Sequence, residues 1–197
     1  MKSLPRLILD IAEQLPEGEV LRSGRFLHLG SRSAVQRALA RLVVEQKLFR
    51  VDRGFYVAAV DGRFGRRSPA PTRVVRSLAN ALGEMIVEHG AHSANKLGLS
   101  TQIPVRCIFL STGRSRELHI GKKVVSIRHA PKWLMALGET GAGDAVRALE
   151  SLGPLWAADA VPKLHERLPE GEWSALVRAR GTYPSWIWNA IQAHMGG

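Results

Sequence analysis

Gln36 and Arg37 are adjacent side chains of the kinds that read a base pair. An arginine fork can donate twice to guanine O6 and N7, and a glutamine amide matches adenine N6 and N7. Arg32, Ser33 and Arg41 lie in the same stretch and can donate to phosphate oxygens or base edges. Arg50 and Arg53 flank the turn Asp52-Arg53-Gly54, where they would meet phosphate or a minor groove. Residues 22–54 hold eight Lys or Arg against two acids, so much of the net charge of +11 falls on this stretch. The chemistry implied is recognition of duplex DNA by hydrogen bonds and phosphate neutralisation.

Other chemistries fare less well. His89 and His92 are three apart, but Gly90 lies between them at an expected helix end, and no cysteine or acid completes a metal set. His119 and His129 fall on neighbouring expected strands and read as half-buried strand residues. Cys107 lies among Val105, Ile108 and Phe109, a core setting for a thiol. Gly138 to Asp144 has the glycines of a phosphate loop. It lacks the Lys-Ser/Thr that should follow them and does not follow a strand. No paired carboxylates or nucleophile–base set stands out. The expectation is a protein that is not an enzyme and has no cofactor and no metal.

The elements that must position the arginines follow from periodicity. Ser31 is an expected N-cap. Val35, Ala38, Leu39 and Leu42 form one apolar face of a helix running to about Gln46, with Ser33, Gln36, Arg37 and Ala40 opposite. Ser23 to Leu29 is expected as a preceding helix, with Gly30 supplying positive φ at the turn between them. Leu48 to Val51 and Phe55 to Val57 form a hairpin, and Glu19 to Leu21 is a short strand that pairs with it. A first helix, capped by Ser3 with Pro5 in its first turn, runs to about Leu15. The pattern is a winged helix-turn-helix over residues 1–58, which lays its second helix in the DNA major groove.

Residues 59–71 carry glycines, prolines and Arg63, Arg66 and Arg67. They read as a basic linker, either an arm that enters an adjacent minor groove or a hydrated tether. Residues 72–197 then read as a second, α+β domain. Thr72 to Glu88 and Ser93 to Leu99 are helical. Val105 to Leu110, Glu117 to Ile120 and Val124 to Arg128 form an antiparallel meander. Helices follow from Pro131 to Met195, broken at 138–143, 153–154, 169–171 and 181–184. Each half is expected to fold alone. Five tryptophans fall in the last third, either closing the core or forming an aromatic patch for a partner.

With 197 residues and a sequence pI near 10.8, the chain suits a polyanionic partner. Its single cysteine allows no internal disulfide. No apolar run approaches the roughly 20 residues of a membrane span. The N-terminal run carries Asp10 and Glu13 and no cleavage site, so no signal peptide is expected. The location expected is the cytoplasm, with no membrane contact.

The run GSRSAVQRALARLVVEQKLFRVDRGFYV resembles the winged-helix start of AbiE-type antitoxins, from bacterial abortive-infection, type IV toxin–antitoxin systems. The run HSANKLGLSTQIPVRCIFLSTGRSRELHIGKKVVSIRHAP resembles the body of that family. There a small-Asn-x-Leu-Gly-Leu helix leads into strands with a Thr-Gly-x-Ser-Arg turn, matched here by residues 94–99 and 112–116. The resemblance implies a repressor that binds inverted repeats in its own promoter. It also implies an antitoxin that counteracts a nucleotidyltransferase toxin, without need of a stable complex. Arg114, Arg116, Lys122, Lys123 and Arg128 cluster on the expected strands and turns of the second domain, able to hold either flanking DNA or an acidic toxin surface. Two alternatives stay open: a stand-alone winged-helix regulator without a toxin, and a nucleic-acid-modifying enzyme with a winged-helix targeting domain.

Overall fold

A computed structural model describes residues 2–63, 65–102 and 106–196. It is mixed α+β, with nine α-helices and small antiparallel sheets among the described residues. The chain divides into two compact units. One comprises Met1–Glu84 with Arg116–Ser126, the other Met85–Ser115 with Ile127–Gly197.

The first unit opens with α1 (Leu4–Glu13), which buries Ile8, Leu9 and Ala12. Pro5 sits in its first turn, where a missing N–H costs nothing. The Ser3 side chain makes no capping bond. Strand β1 (Val20–Arg22) leads into a single 3-10 turn, Ser23–Phe26, where the sequence suggested an α-helix to Leu29. Gly24 disfavours a longer helix there, and burial of Phe26 fixes the turn instead. Helix α2 (Arg32–Val44) is capped by Ser31, whose hydroxyl accepts from the Ala34 N–H at 3.3 Å. Gly30 is not among the positive-φ glycines, so conformational freedom is not its role. Strands β2 (Leu48–Asp52) and β3 (Phe55–Ala58) pair antiparallel, and the sheet order is β1-β3-β2. The expected strand near residue 20 does pair with the hairpin, Val20 opposite Val57. Gly54 takes φ +77 at the turn, next to a register shift between Arg50 and Asp52. The core joins Ile8, Leu21, Phe26, Val35, Leu39, Leu42, Leu48 and Tyr56.

Residues 59–71 are not a bare tether. They form a second hairpin, β4 (Val60–Gly62) with β5 (Gly65–Arg67), and Pro71 opens α3 (Pro71–Leu82). Glu17 holds this segment, accepting from Arg67 at 3.0 Å, the Ala70 N–H at 3.1 Å and Arg73 at 3.4 Å. Ser77 of α3 accepts from the buried Val20 N–H at 2.9 Å. A cut at 71/72 would strip that acceptor and the buried Val74, Val75 and Leu78 from the first unit. Gly83, at φ +70, ends α3 earlier than the periodicity suggested.

The chain then enters the second unit as β6 (Ile86–Glu88), α4 (Gly90–Lys96) and β7 (Cys107–Ser111). Val105, expected in that strand, lies outside the described residues. β8 (Arg116–Ile120) and the start of β9 (Lys123–His129) return to the first unit as a hairpin around Gly121, φ +64. The last residues of β9 belong to the second unit and neighbour β7, where Ala130 N–H donates to Ser111 at 3.0 Å. The meander therefore fails in its order, because β9 and not β8 lies beside β7.

Helices α5 (Lys132–Met135), α6 (Gly141–Leu152), α7 (Pro154–Arg167), α8 (Glu170–Arg178) and α9 (Ser185–Met195) complete the second unit, with breaks near the expected ones, although residues 141–143, Pro154 and residues 170–171, expected in breaks, are helical. Trp173 is buried in their core, and Trp133, Trp186 and Trp188 pack against it; Trp156 is 62% exposed. Gly90 lets α4 meet α6 closely, since a Cβ there would overlap the Arg147 carbonyl and crowd Ser151. A buried ionic cluster locks the pair. Asp144 accepts from Arg147 at 2.7 Å, Ser93 at 3.0 Å and Lys96 at 2.7 Å, and Arg147 also donates to Gly138 O at 2.9 Å. Burial pushes the Asp144 carboxyl up, but Lys96 and Arg147 outweigh it and hold it below its ordinary value.

Candidate nucleic-acid interface

Helix α2 divides its residues cleanly. Val35, Ala38, Leu39 and Leu42 are buried, while Arg32, Ser33, Gln36, Arg37, Ala40 and Arg41 are exposed. Arg32 and Arg37 have no carboxylate within ion-pair distance among the described residues. Ser33 exchanges a hydrogen bond with Ser31 at 3.2 Å, at the N-terminal turn where backbone N–H groups favour an anion. Two guanidiniums and an amide thus stand on one solvent face, the guanidiniums without a carboxylate partner among the described residues.

Arg41 differs. It pairs with Glu45 at 2.8 Å, and Lys47 takes the other Glu45 oxygen at 2.6 Å. Hydrogen bonds from Lys47 and Arg41 hold the Glu45 carboxyl down at about 2. DNA would have to compete with that carboxylate for Arg41. Arg50 and Arg53 are exposed at the end of the β2–β3 hairpin, again with no carboxylate partner among the described residues. Arg22, which the sequence reading counted only as charge, places its guanidinium 5.3 Å from the Phe55 ring centroid.

The arginines of the second hairpin are mixed. Arg63 is exposed and without a carboxylate partner among the described residues. Arg66 reaches Asp61 at 3.4 Å and Arg67 reaches Glu17 at 3.0 Å.

The five cations expected on the second domain do not form one set. Arg114 and Arg128 are exposed in the second unit, whereas Arg116, Lys122 and Lys123 belong to the first. Arg116 is structural: its side chain is 9% exposed, and it forks onto Glu84 at 3.1 and 2.8 Å. Lys122 and Lys123 are exposed at the β8–β9 turn, beside a cleft of about 420 Å³ that also takes in Phe49, Arg66, Arg67 and Ser68. Sequence reading missed this cleft, because its residues come from three separated segments. The one usable signal was Gly121 preceding two lysines.

Among the described residues no group of three or more His, Cys, Asp or Glu gathers for a metal. His89 caps α4, its Nδ1 accepting from the Ala91 N–H at 3.2 Å, and burial and Arg128 keep its pKa below the ordinary value. Within residues 94–99, part of the antitoxin resemblance, three residues have structural work. Asn95 donates to the Ser100 and Gln102 carbonyls at 3.2 and 3.3 Å, Lys96 binds Asp144, and Gly98 takes φ +64.

Residues 7–174 match a family described as "Family of unknown function (DUF6088)". The chain belongs to this family. No curated protein matches it. Among solved structures it is similar to the RV2827C protein from Mycobacterium tuberculosis, with a TM-score of 0.57 and 16% identity over 97% of this chain and 75% of that one. That likeness is one of fold. Among the described residues no helix is long and apolar enough to cross a membrane.

Proposed function

We propose that this member of the family is a sequence-specific duplex-DNA-binding regulator. In this reading residues up to 58 act as a winged helix-turn-helix with α2 in the major groove. The observation that carries it is the exposed face of Arg32, Ser33, Gln36 and Arg37, whose two arginines have no carboxylate partner among the described residues, on a helix that buries Val35, Ala38, Leu39 and Leu42. The element order supports it: helix, strand, 3-10 turn, helix, two-stranded hairpin, with the first strand added to the hairpin. Gln36 and Arg37 read base edges. Arg50 and Arg53 hold phosphate from the hairpin. Arg63 extends the basic surface.

The finer reading makes the chain a repressor of its own promoter and the antitoxin of a type IV system. It rests on the resemblance of residues 94–99 and 112–116. Two experiments test the two levels. Enrichment of random duplexes on the full chain should yield a consensus, and no consensus would refute sequence-specific binding. Co-expression with a nucleotidyltransferase encoded beside it should rescue growth. Failure to rescue leaves a regulator and removes the antitoxin.

A further inference from the structure

We infer that the cleft beside the β8–β9 turn is a binding site for a nucleoside phosphate, either free or as the end of a single strand. Three segments of the first unit build it: Phe49 from β2, Arg66 to Ser68 from the second hairpin, and Lys122 with Lys123 after Gly121. Its volume of about 420 Å³ is within the usual range for small-ligand sites.

Four cations line one small concavity, and only Arg66 and Arg67 have carboxylates, Asp61 and Glu17. Lys122 and Lys123 have none among the described residues. With Arg66 and Arg67 neutralised by their carboxylates, the cleft keeps the two lysine charges without a counter-charge among the described residues, and an anion in it is favoured. A phosphate supplies that anion and accepts charge-assisted hydrogen bonds. The Ser68 hydroxyl adds a neutral donor.

The aromatic ring makes the site more than a phosphate hole. Phe49 is half-buried, with part of its surface on the cleft. Gly121 permits this, since a Cβ there would stand 3.1 Å from Ser68 Cβ and 3.4 Å from Phe49 Cε1, at a φ of +64 that side chains avoid. The glycine turn therefore passes close to the ring, and the two lysines that follow it line the same cleft. A cationic groove with an aromatic face is the arrangement that binds a base by stacking and its phosphate by charge. Neither Gln36 nor Arg37 lines the cleft, so this site is independent of the proposed duplex reading.

The test is titration of the full chain with AMP, adenosine, inorganic phosphate and a 5′-phosphorylated tetranucleotide. AMP or the tetranucleotide should bind saturably, and whichever binds more tightly identifies the source. Adenosine and phosphate should each bind at least tenfold more weakly than the better of those two. K122A/K123A should weaken that binding at least tenfold, and Phe49→Leu should weaken it several-fold while leaving the phosphate affinity unchanged. R37A should leave it as in the wild type, which separates this site from the duplex-reading face. Absence of saturable binding by both nucleotide probes overturns the inference. So does affinity untouched by K122A/K123A, or phosphate binding as well as the better of the two nucleotide probes.

Discussion

Arg37 of α2 and Arg147 of α6 are both helical arginines, with opposite fates. Arg37 stands exposed with no carboxylate near it among the described residues, and Arg147 is 1% exposed with its fork on Asp144 and a backbone carbonyl. The difference separates binding from folding. A guanidinium left unspent in water adds little to stability and keeps its donors for a ligand. A guanidinium taken out of water must be compensated by the protein, and its loss of a partner is a folding defect. Mutations of unpaired exposed cations and of buried paired ones should therefore sort into binding effects without stability loss, and the reverse.

The largest effect should come from Asp144→Ala. It leaves the buried Arg147 without its carboxylate, while the exposed Lys96 returns to water; breaking such a buried pair costs about 3–5 kcal/mol. Denaturant unfolding should show the loss while the charge face of α2 is untouched. The same carboxylate predicts an acid limit. Asp144 is held below its ordinary pKa in the fold, so its contribution is fully present above the unfolded value of about 3.9 and is lost as pH falls through the lower folded value. Unfolding followed between about pH 5 and pH 2 should show this loss, and Asp144→Asn should flatten it.

Arg37→Ala should cost about 1–3 kcal/mol on the preferred duplex and little on random DNA, with the melting temperature unchanged. Arg50→Ala and Arg53→Ala should weaken binding to all duplexes alike, each reducing the salt slope by about one unit. Arg41→Ala should be the mildest on α2, because Glu45 already occupies that side chain. If Arg41→Ala matches Arg37→Ala, the ion pair does not withhold Arg41 from DNA.

Much of this was readable from local signals. The buried stripe of α2, its Ser31 cap, the Gly54 turn and the breaks among the last five helices all follow from patterns within a few residues. The failures share a cause. The β6 strand at Ile86–Glu88 and the placement of β9 beside β7 depend on partners far along the chain. The same holds for the boundary. The glycine and proline of residues 59–71 read as a basic linker, either arm or tether, but Glu17 and Ser77 tie the segment and α3 into the first unit. Arg116 is of the same residue class as Lys122 in the sequence, but the fold spends it on Glu84 at 2.8 Å and on Asp52 at 3.8 Å.

The central claim is that the exposed face of α2 reads DNA sequence. It is tested most directly by titrating wild-type and Arg37→Ala chains against an enriched duplex and a scrambled duplex at one salt concentration. The wild type should prefer the enriched duplex by at least about tenfold, a difference of about 1.4 kcal/mol. Arg37→Ala should erase most of that preference while binding scrambled DNA nearly as well as the wild type. Equal wild-type binding to both duplexes, or an Arg37→Ala loss of the same size on each, would contradict it.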